Sequence, residues 1–154
     1  MKTIVCVILS VFYTFCFSQS SIQTRRDSIF QPRALYANLS AGVRVISSMT
    51  AYYESTLRTR GNSRTYLKAG LGYYAVFGRG GMHVIGNLGW YGGGVKHKIE
   101  CGGGLDYFIL GDLQGAIPLS ASLGYRFQKP QKRFLFRTGF SYPEGVYIGA
   151  GYRF

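Results

Sequence analysis

Acidic residues are scarce in this chain. Six Asp and Glu stand against eighteen Lys and Arg in 154 residues, a formal net charge of +12. Such a surplus ordinarily raises nucleic-acid binding. Here, however, the basic residues fall in an early stretch (Arg25, Arg26, Arg33) and at turns (Arg58, Arg60, Arg64, Lys129, Lys132, Arg133), with no aromatic-interleaved recognition motif. Nucleic acid is therefore not an expected partner. Two readings of the charge stay open: attraction to the phosphates of anionic lipid headgroups or lipopolysaccharide, and a solvated set of turns.

Cysteine is nearly absent as well. Of the three, Cys6 and Cys16 lie in the first eighteen residues and only Cys101 lies beyond. If that leader is removed, an intramolecular disulfide framework and a paired-cysteine metal site are both excluded. Long apolar runs are limited to one, from Ile4 to Phe17 after Met1-Lys2. It is too short to span a bilayer and exits through Cys16-Phe17-Ser18, the pattern of a secretory signal peptide cleaved after Ser18. Acylation of Cys16 is disfavoured by bulky Tyr13 and Phe15, which stand where a lipoprotein site needs aliphatic and small residues.

Catalytic signatures are also missing. There is no GxSxG elbow, and the runs Gly92-Gly93-Gly94 and Gly102-Gly103-Gly104 lack the helix start and Lys-Ser/Thr of a phosphate loop. Neither His83 nor His97 has another His or Cys at ligand spacing. No cofactor, metal or catalytic residue is expected.

What the chain does have is alternation. Eight successive segments from Leu35 onward repeat with period two, the pattern of half-buried strands. Leu35, Ala37, Leu39, Ala41, Val43 and Val45 oppose Tyr36, Asn38, Ser40, Gly42 and Arg44; Met49, Ala51, Tyr53 and Leu57 oppose Thr50, Tyr52, Glu54 and Thr56. Leu67, Ala69, Leu71 and Tyr73 oppose Tyr66, Lys68, Gly70, Gly72 and Tyr74, and Met82, Val84, Leu88 and Trp90 oppose His83, Asn87 and Tyr91. In the second half, Ile99 to Tyr107 set alternate apolar residues and Gly103 against Lys98, Glu100, Gly102, Gly104 and Asp106. Ile117 to Phe127 oppose Ser120, Ser122, Gly124 and Arg126; Phe134, Phe136, Thr138 and Phe140 oppose Arg133, Arg137, Gly139 and Ser141; Val146 to Phe154 oppose Tyr147, Gly149, Gly151 and Arg153. Each segment is about 9 to 12 residues, enough for a tilted strand to cross a bilayer.

Alternation alone does not say which face points inward, since a lipocalin-like barrel turns its apolar face in. The polar face is crowded with glycine and a few charges, whereas a water-facing exterior would be rich in Lys, Glu, Thr and Gln. Small residues suit the narrow interior of an eight-stranded barrel. Aromatics on the apolar face cluster near segment ends (Tyr53, Tyr73, Trp90, Tyr107, Tyr125, Phe127, Tyr152, Phe154), as an interfacial girdle requires. The expectation is an all-β, eight-stranded antiparallel transmembrane β-barrel over residues 34–154, preceded by a signal peptide (1–18) and a flexible periplasmic segment (19–33). Turn chemistry at Arg60-Gly61-Asn62-Ser63, Gly92-Gly93-Gly94 and Gln128-Lys129-Pro130-Gln131, and at Gly78 to Gly81, Gly111 to Gly115 and Tyr142-Pro143-Glu144, supplies the connections. The first link, at Ile46-Ser47, is very short.

The stretch Gly124-Tyr125-Arg126-Phe127-Gln128-Lys129-Pro130, the run Phe134 to Phe140 and the closing Gly145 to Phe154 resemble the C-terminal half of the small outer-membrane β-barrel proteins of Bacteroidota. Lys96-His97-Lys98-Ile99-Glu100-Cys101-Gly102-Gly103-Gly104 is similar to a basic turn leading into a Gly-rich strand in that family. The resemblance covers about residues 34–154. It implies a Gram-negative outer-membrane location and supplies no catalytic residue. By resemblance to outer-membrane proteins generally, the terminal Phe154 is part of the signal read by the barrel insertion machinery.

The polar face also predicts an interior charge network of Arg44, Glu54, Lys68, Lys98, Glu100, Asp106, Arg126, Arg137 and Arg153, six cations with three anions. Burying them is costly unless pairing and water satisfy them, so the interior is expected to be plugged by salt bridges and hydrogen bonds. Trp90, Tyr125, Tyr152 and Phe154 are expected at the membrane interface. The function implied is a structural or envelope-interaction role, with outer-membrane lipid, lipopolysaccharide and the insertion machinery as partners and no protein partner specified. A narrow channel or ligand-binding barrel is one alternative. The other is a lipid hydrolase, with His83, Ser120, Ser122, Glu100 and Asp106 supplying nucleophile, base and orienter.

Overall fold

The computed structural model describes residues 33–42, 47–76, 79–114 and 119–154. Residues 1–32, which hold the expected signal peptide and most of the N-terminal segment, lie outside the described residues, as do Arg44 and Ile46. The period-two pattern folds into eight strands: β1 (Arg33–Ala41), β2 (Ser47–Arg60), β3 (Ser63–Val76), β4 (Arg79–Gly93), β5 (His97–Leu110), β6 (Leu119–Gln128), β7 (Phe134–Tyr142) and β8 (Gly145–Arg153). Each pairs antiparallel with the next, and β8 returns to β1 in the register Ala34↔Arg153 to Ala41↔Val146, so the sheet closes into a barrel. Closure leaves no unpaired edge.

Strand lengths are uneven. β2 to β5 run 14 or 15 residues, longer than the alternation alone predicted, whereas β1, β7 and β8 have 9. The extra length comes from pairing that continues to the hairpin tips, at Arg60↔Ser63, Val76↔Arg79 and Gly93↔Lys98, with a bulge between Thr56 and Arg58 absorbing the change of phase. Gly61 turns the β2–β3 tip with φ of +55°, a conformation that glycine adopts without a Cβ penalty.

The end at which β1 begins and β8 finishes is here the basal end. It carries the β2–β3, β4–β5 and β6–β7 turns, held together by Arg33 N–H to Phe154 O, Gln128 N–H to Lys96 O and Arg153 N–H to Arg133 O. The opposite end carries the longest connection, between Leu110 and Leu119.

Burial follows the alternation with its usual sense reversed. Leu123 is 62% exposed and Phe140 67%, whereas Arg126 is 1% and Arg137 0% exposed. Tyr53, Trp90, Tyr125, Phe134 and Tyr152 stand on the outer face toward the basal end, and Tyr73, Tyr107 and Tyr142 toward the other. Four apolar residues that the face assignment did not single out point inward: Ala34, Ile85, Phe108 and Leu135. Arg133, read as part of the polar face, instead sits exposed at the basal rim and donates to the Tyr152 hydroxyl.

Candidate functional site

The interior residues form two polar clusters. Toward the basal end, Arg126 on β6 reaches across to Glu54 on β2 with two parallel hydrogen bonds, Nη1 to Oε2 at 2.9 Å and Nη2 to Oε1 at 2.8 Å. Its Nε donates to Gln128 Oε1 at 2.9 Å, and its guanidinium lies 4.2 Å from the Tyr91 ring centroid. A forked guanidinium matches a carboxylate in just this way. Arg137 on β7 donates from Nε to Glu100 Oε1 at 2.8 Å, with Nη2 on the same oxygen, and stacks 4.3 Å from the Tyr36 ring centroid. Tyr147 O–H adds a third donor to Glu100 Oε1 at 2.9 Å, and Arg126 Nη1 is 3.6 Å from Glu100 Oε2. Glu54, Arg126, Glu100 and Arg137 thus alternate in sign across the barrel, each cation beside an anion and an aromatic face.

Tyrosines fill the space between. Tyr36 stacks on Tyr52 at 5.2 Å, and Tyr66 tilts against Tyr91 at 5.6 Å. Lys68 Nζ lies 5.0 Å from the Tyr52 ring centroid. Lys98 closes the basal side by donating to the carbonyl of Asn62 at 2.6 Å. The glycines opposite these rings make room for them: a Cβ at Gly89 would collide with the Tyr66 ring, and one at Gly124 with the Tyr147 hydroxyl.

The second cluster lies toward the opposite end. His83 Nδ1–H donates to Asp106 Oδ1 at 2.7 Å, and Nε2 is 3.0 Å from Thr50 Oγ1. Thr50 O–H donates to Glu144 Oε1 at 3.1 Å, Ser48 O–H to the same oxygen at 3.3 Å, and Ser141 O–H to Glu144 Oε2 at 2.9 Å. Phe108 stacks on the imidazole and Tyr74 meets it edge-on. Thr50 has one hydroxyl hydrogen and cannot give it to both His83 and Glu144.

Glu54, Lys68, Lys98, Glu100, Asp106, Arg126, Arg137 and Arg153 are all buried in the interior, and Arg44 falls outside the described residues. Sequence reasoning missed Glu144 and Gln128. Both lie in sequence with turn chemistry, which has no strand phase to reveal an inward side chain. With Glu144 included, the buried side chains comprise five bases and four acids among the described residues, beside His83. The five residues of the hydrolase alternative do not come together: His83 does hold Asp106, but the hydroxyl beside its other ring nitrogen is Thr50. Ser120 instead accepts from Asn87 Nδ2 at 3.1 Å, and Glu100 belongs to the basal cluster. Asp106, His83 and Thr50 have the order of an orienter, base and hydroxyl. That hydroxyl is fully buried, however, and already engaged by Glu144.

No protein-family model, curated protein or solved structure matches this chain. The geometry itself defines an eight-stranded closed barrel with a charged, tyrosine-packed interior and an apolar outer wall.

Proposed function

We propose that this chain is a small outer-membrane β-barrel of Gram-negative type with a structural or envelope-interaction role. The supporting observation is the inversion of burial, with Leu, Ile, Val, Phe and Tyr over the outer wall of every strand and arginine, glutamate and lysine within. Water-soluble monomers rarely expose contiguous apolar patches beyond a few hundred Å², whereas a hydrocarbon surround requires such a wall and a sheet without edges. Girdles of tyrosine at both ends of the wall, joined by Trp90 at the basal end, fit the interfaces of a bilayer. Membership of the Bacteroidota-type family, export by a cleaved signal peptide and assembly by the barrel insertion machinery belong to this same reading. Lipid and lipopolysaccharide are its immediate surroundings.

The interior argues for a plugged barrel. Arg126, Arg137 and four tyrosines (Tyr36, Tyr52, Tyr66, Tyr91) occupy the cross-section, paired or stacked, and the enclosed Thr50 hydroxyl leaves catalysis outside the reading. The test is folding itself. The protein should become β-rich only in detergent micelles or lipid vesicles and migrate differently on gels with and without boiling. A β-rich monomer stable in water without detergent would overturn the reading.

A further inference from the structure

The exposed charge of the barrel is distributed unequally between its two ends. At the basal end Arg33, Arg58, Arg60, Lys96, Lys129, Lys132 and Arg133 are exposed. No exposed side-chain carboxylate accompanies them among the described residues. Glu54, Glu100, Asp106 and Glu144 are buried, and Asp112 sits at the opposite end, 3.7 Å from Arg79. Among the described residues, the exposed side chains of one end form a ring of like charges while those of the other are nearly balanced.

A second feature fixes the depth of that ring. Arg133 lies 5.5 Å from the centroid of the outward Tyr152 ring and bonds its hydroxyl. Lys129 Nζ lies 5.8 Å from the Phe127 ring centroid. The His97 ring packs 5.4 Å from Phe127 and contacts the Tyr125 hydroxyl through Nδ1. Arg133 and Lys129 are thereby anchored on the rim of the apolar wall itself, where a bilayer places its headgroups. A soluble acidic partner would need them only at the tips of the turns.

We propose that the basal end selects anionic phospholipids from the leaflet around it, the ring of Arg60, Lys96, Lys129, Lys132 and Arg133 binding their phosphates. The inference rests on the membrane reading above and goes beyond it by naming the lipid class and the end that binds it. Lipopolysaccharide phosphates would be met at the opposite end, which carries the longest connection, as surface loops of outer-membrane barrels do. There the exposed Arg79 is already beside Asp112. Each Lys or Arg near an anionic surface adds to the attraction, so five together give a selectivity that salt should weaken.

The experiment uses the full barrel in phosphatidylcholine vesicles containing either spin-labelled phosphatidylglycerol or spin-labelled phosphatidylcholine. The motionally restricted fraction of each label reports lipid at the barrel wall. The expected result is a several-fold preference for phosphatidylglycerol that falls as salt rises from about 0.1 to 1 M, as the Debye length shortens. It should be lost in the variant combining Arg60→Gln, Lys96→Gln, Lys129→Gln, Lys132→Gln and Arg133→Gln, and retained in Arg79→Gln. Equal restriction of both labels in a heat-modifiable inserted barrel would overturn the lipid selectivity alone, as would equal loss with Arg79→Gln. Binding of a soluble acidic polymer by the same five residues, without phosphatidylglycerol preference, would also reject the lipid as partner. Failure to insert at all would reject the membrane reading and this inference with it. The salt series on the unaltered protein decides the question if the quintuple variant does not fold.

Discussion

Glu100 is the residue on which the basal cluster converges, accepting from Arg137 and Tyr147 and standing 3.6 Å from Arg126. Removing it leaves Arg126 with Glu54 but takes from Arg137 its carboxylate partner in a low-dielectric interior. Breaking a buried pair by deleting one partner costs about 3 to 5 kcal/mol, so Glu100→Ala should lower the urea midpoint of the vesicle-inserted barrel by a corresponding amount. Ser122 is also buried, but its hydroxyl has no hydrogen-bond partner among the described residues. Ser122→Ala should shift stability by less than about 0.5 kcal/mol. Equal midpoints for the two variants would show that the charge network does not hold the interior together. Small residues matter here for clearance: a Cβ at Gly72 would collide with both His83 Nε2 and Thr50 Oγ1, so that site admits no side chain without parting the contact.

At the scale of elements, the turn between β7 and β8 does more than reverse the chain. Gly145 adopts φ of +93° where any Cβ would meet Ala41 and Gly42, and the preceding Glu144 side chain runs into the mouth of the barrel. There it ties β7 through Ser141 to β2 through Ser48 and Thr50, reaching past β1. Glu144→Ala should therefore accelerate amide hydrogen exchange at the Ser48–Thr50 end of β2 and around residues 141–146, while the β3–β4 pair keeps its protection. Unchanged exchange at Ser48–Thr50 would remove the turn from any anchoring role. The strands themselves were legible because their period is two: Leu35 and Tyr36, or Ile99 and Glu100, declare opposite faces by position alone. Glu144 and Gln128 were not, for want of such a phase. Nor could the alternation show that Arg126 meets Glu54 seventy-two residues away, or that His83 finds Thr50 instead of Ser120. Those pairings depend on which side chains reach one another across the closed interior.

For the molecule as a whole, the question is whether anything passes through it. The alternating chain Glu54, Arg126, Glu100 and Arg137 spans the interior with aromatic rings on its flanks. An ion would have to displace paired charges that have already given up water for one another. Purified protein in planar bilayers should show no sustained ohmic conductance at moderate voltage. Regular unitary steps that scale with salt concentration would instead favour a narrow channel, one of the alternatives the sequence left open.

The reversed wall carries a consequence for the chain before it folds. Its apolar residues are interleaved one by one with polar ones, so the mean hydropathy of the whole sequence is only +0.05. No helix among the described residues is long and apolar enough to cross a membrane. On the proposed reading, the described part of the nascent polymer would offer an export channel no long apolar stretch to halt on, because its greasiness is written in every second letter and is silent when read consecutively. Hydrophobicity is here a property of the finished cylinder, switched on by pairing, and on the proposed membrane reading the same molecule would travel as a water-compatible thread and settle as a lipid-compatible body.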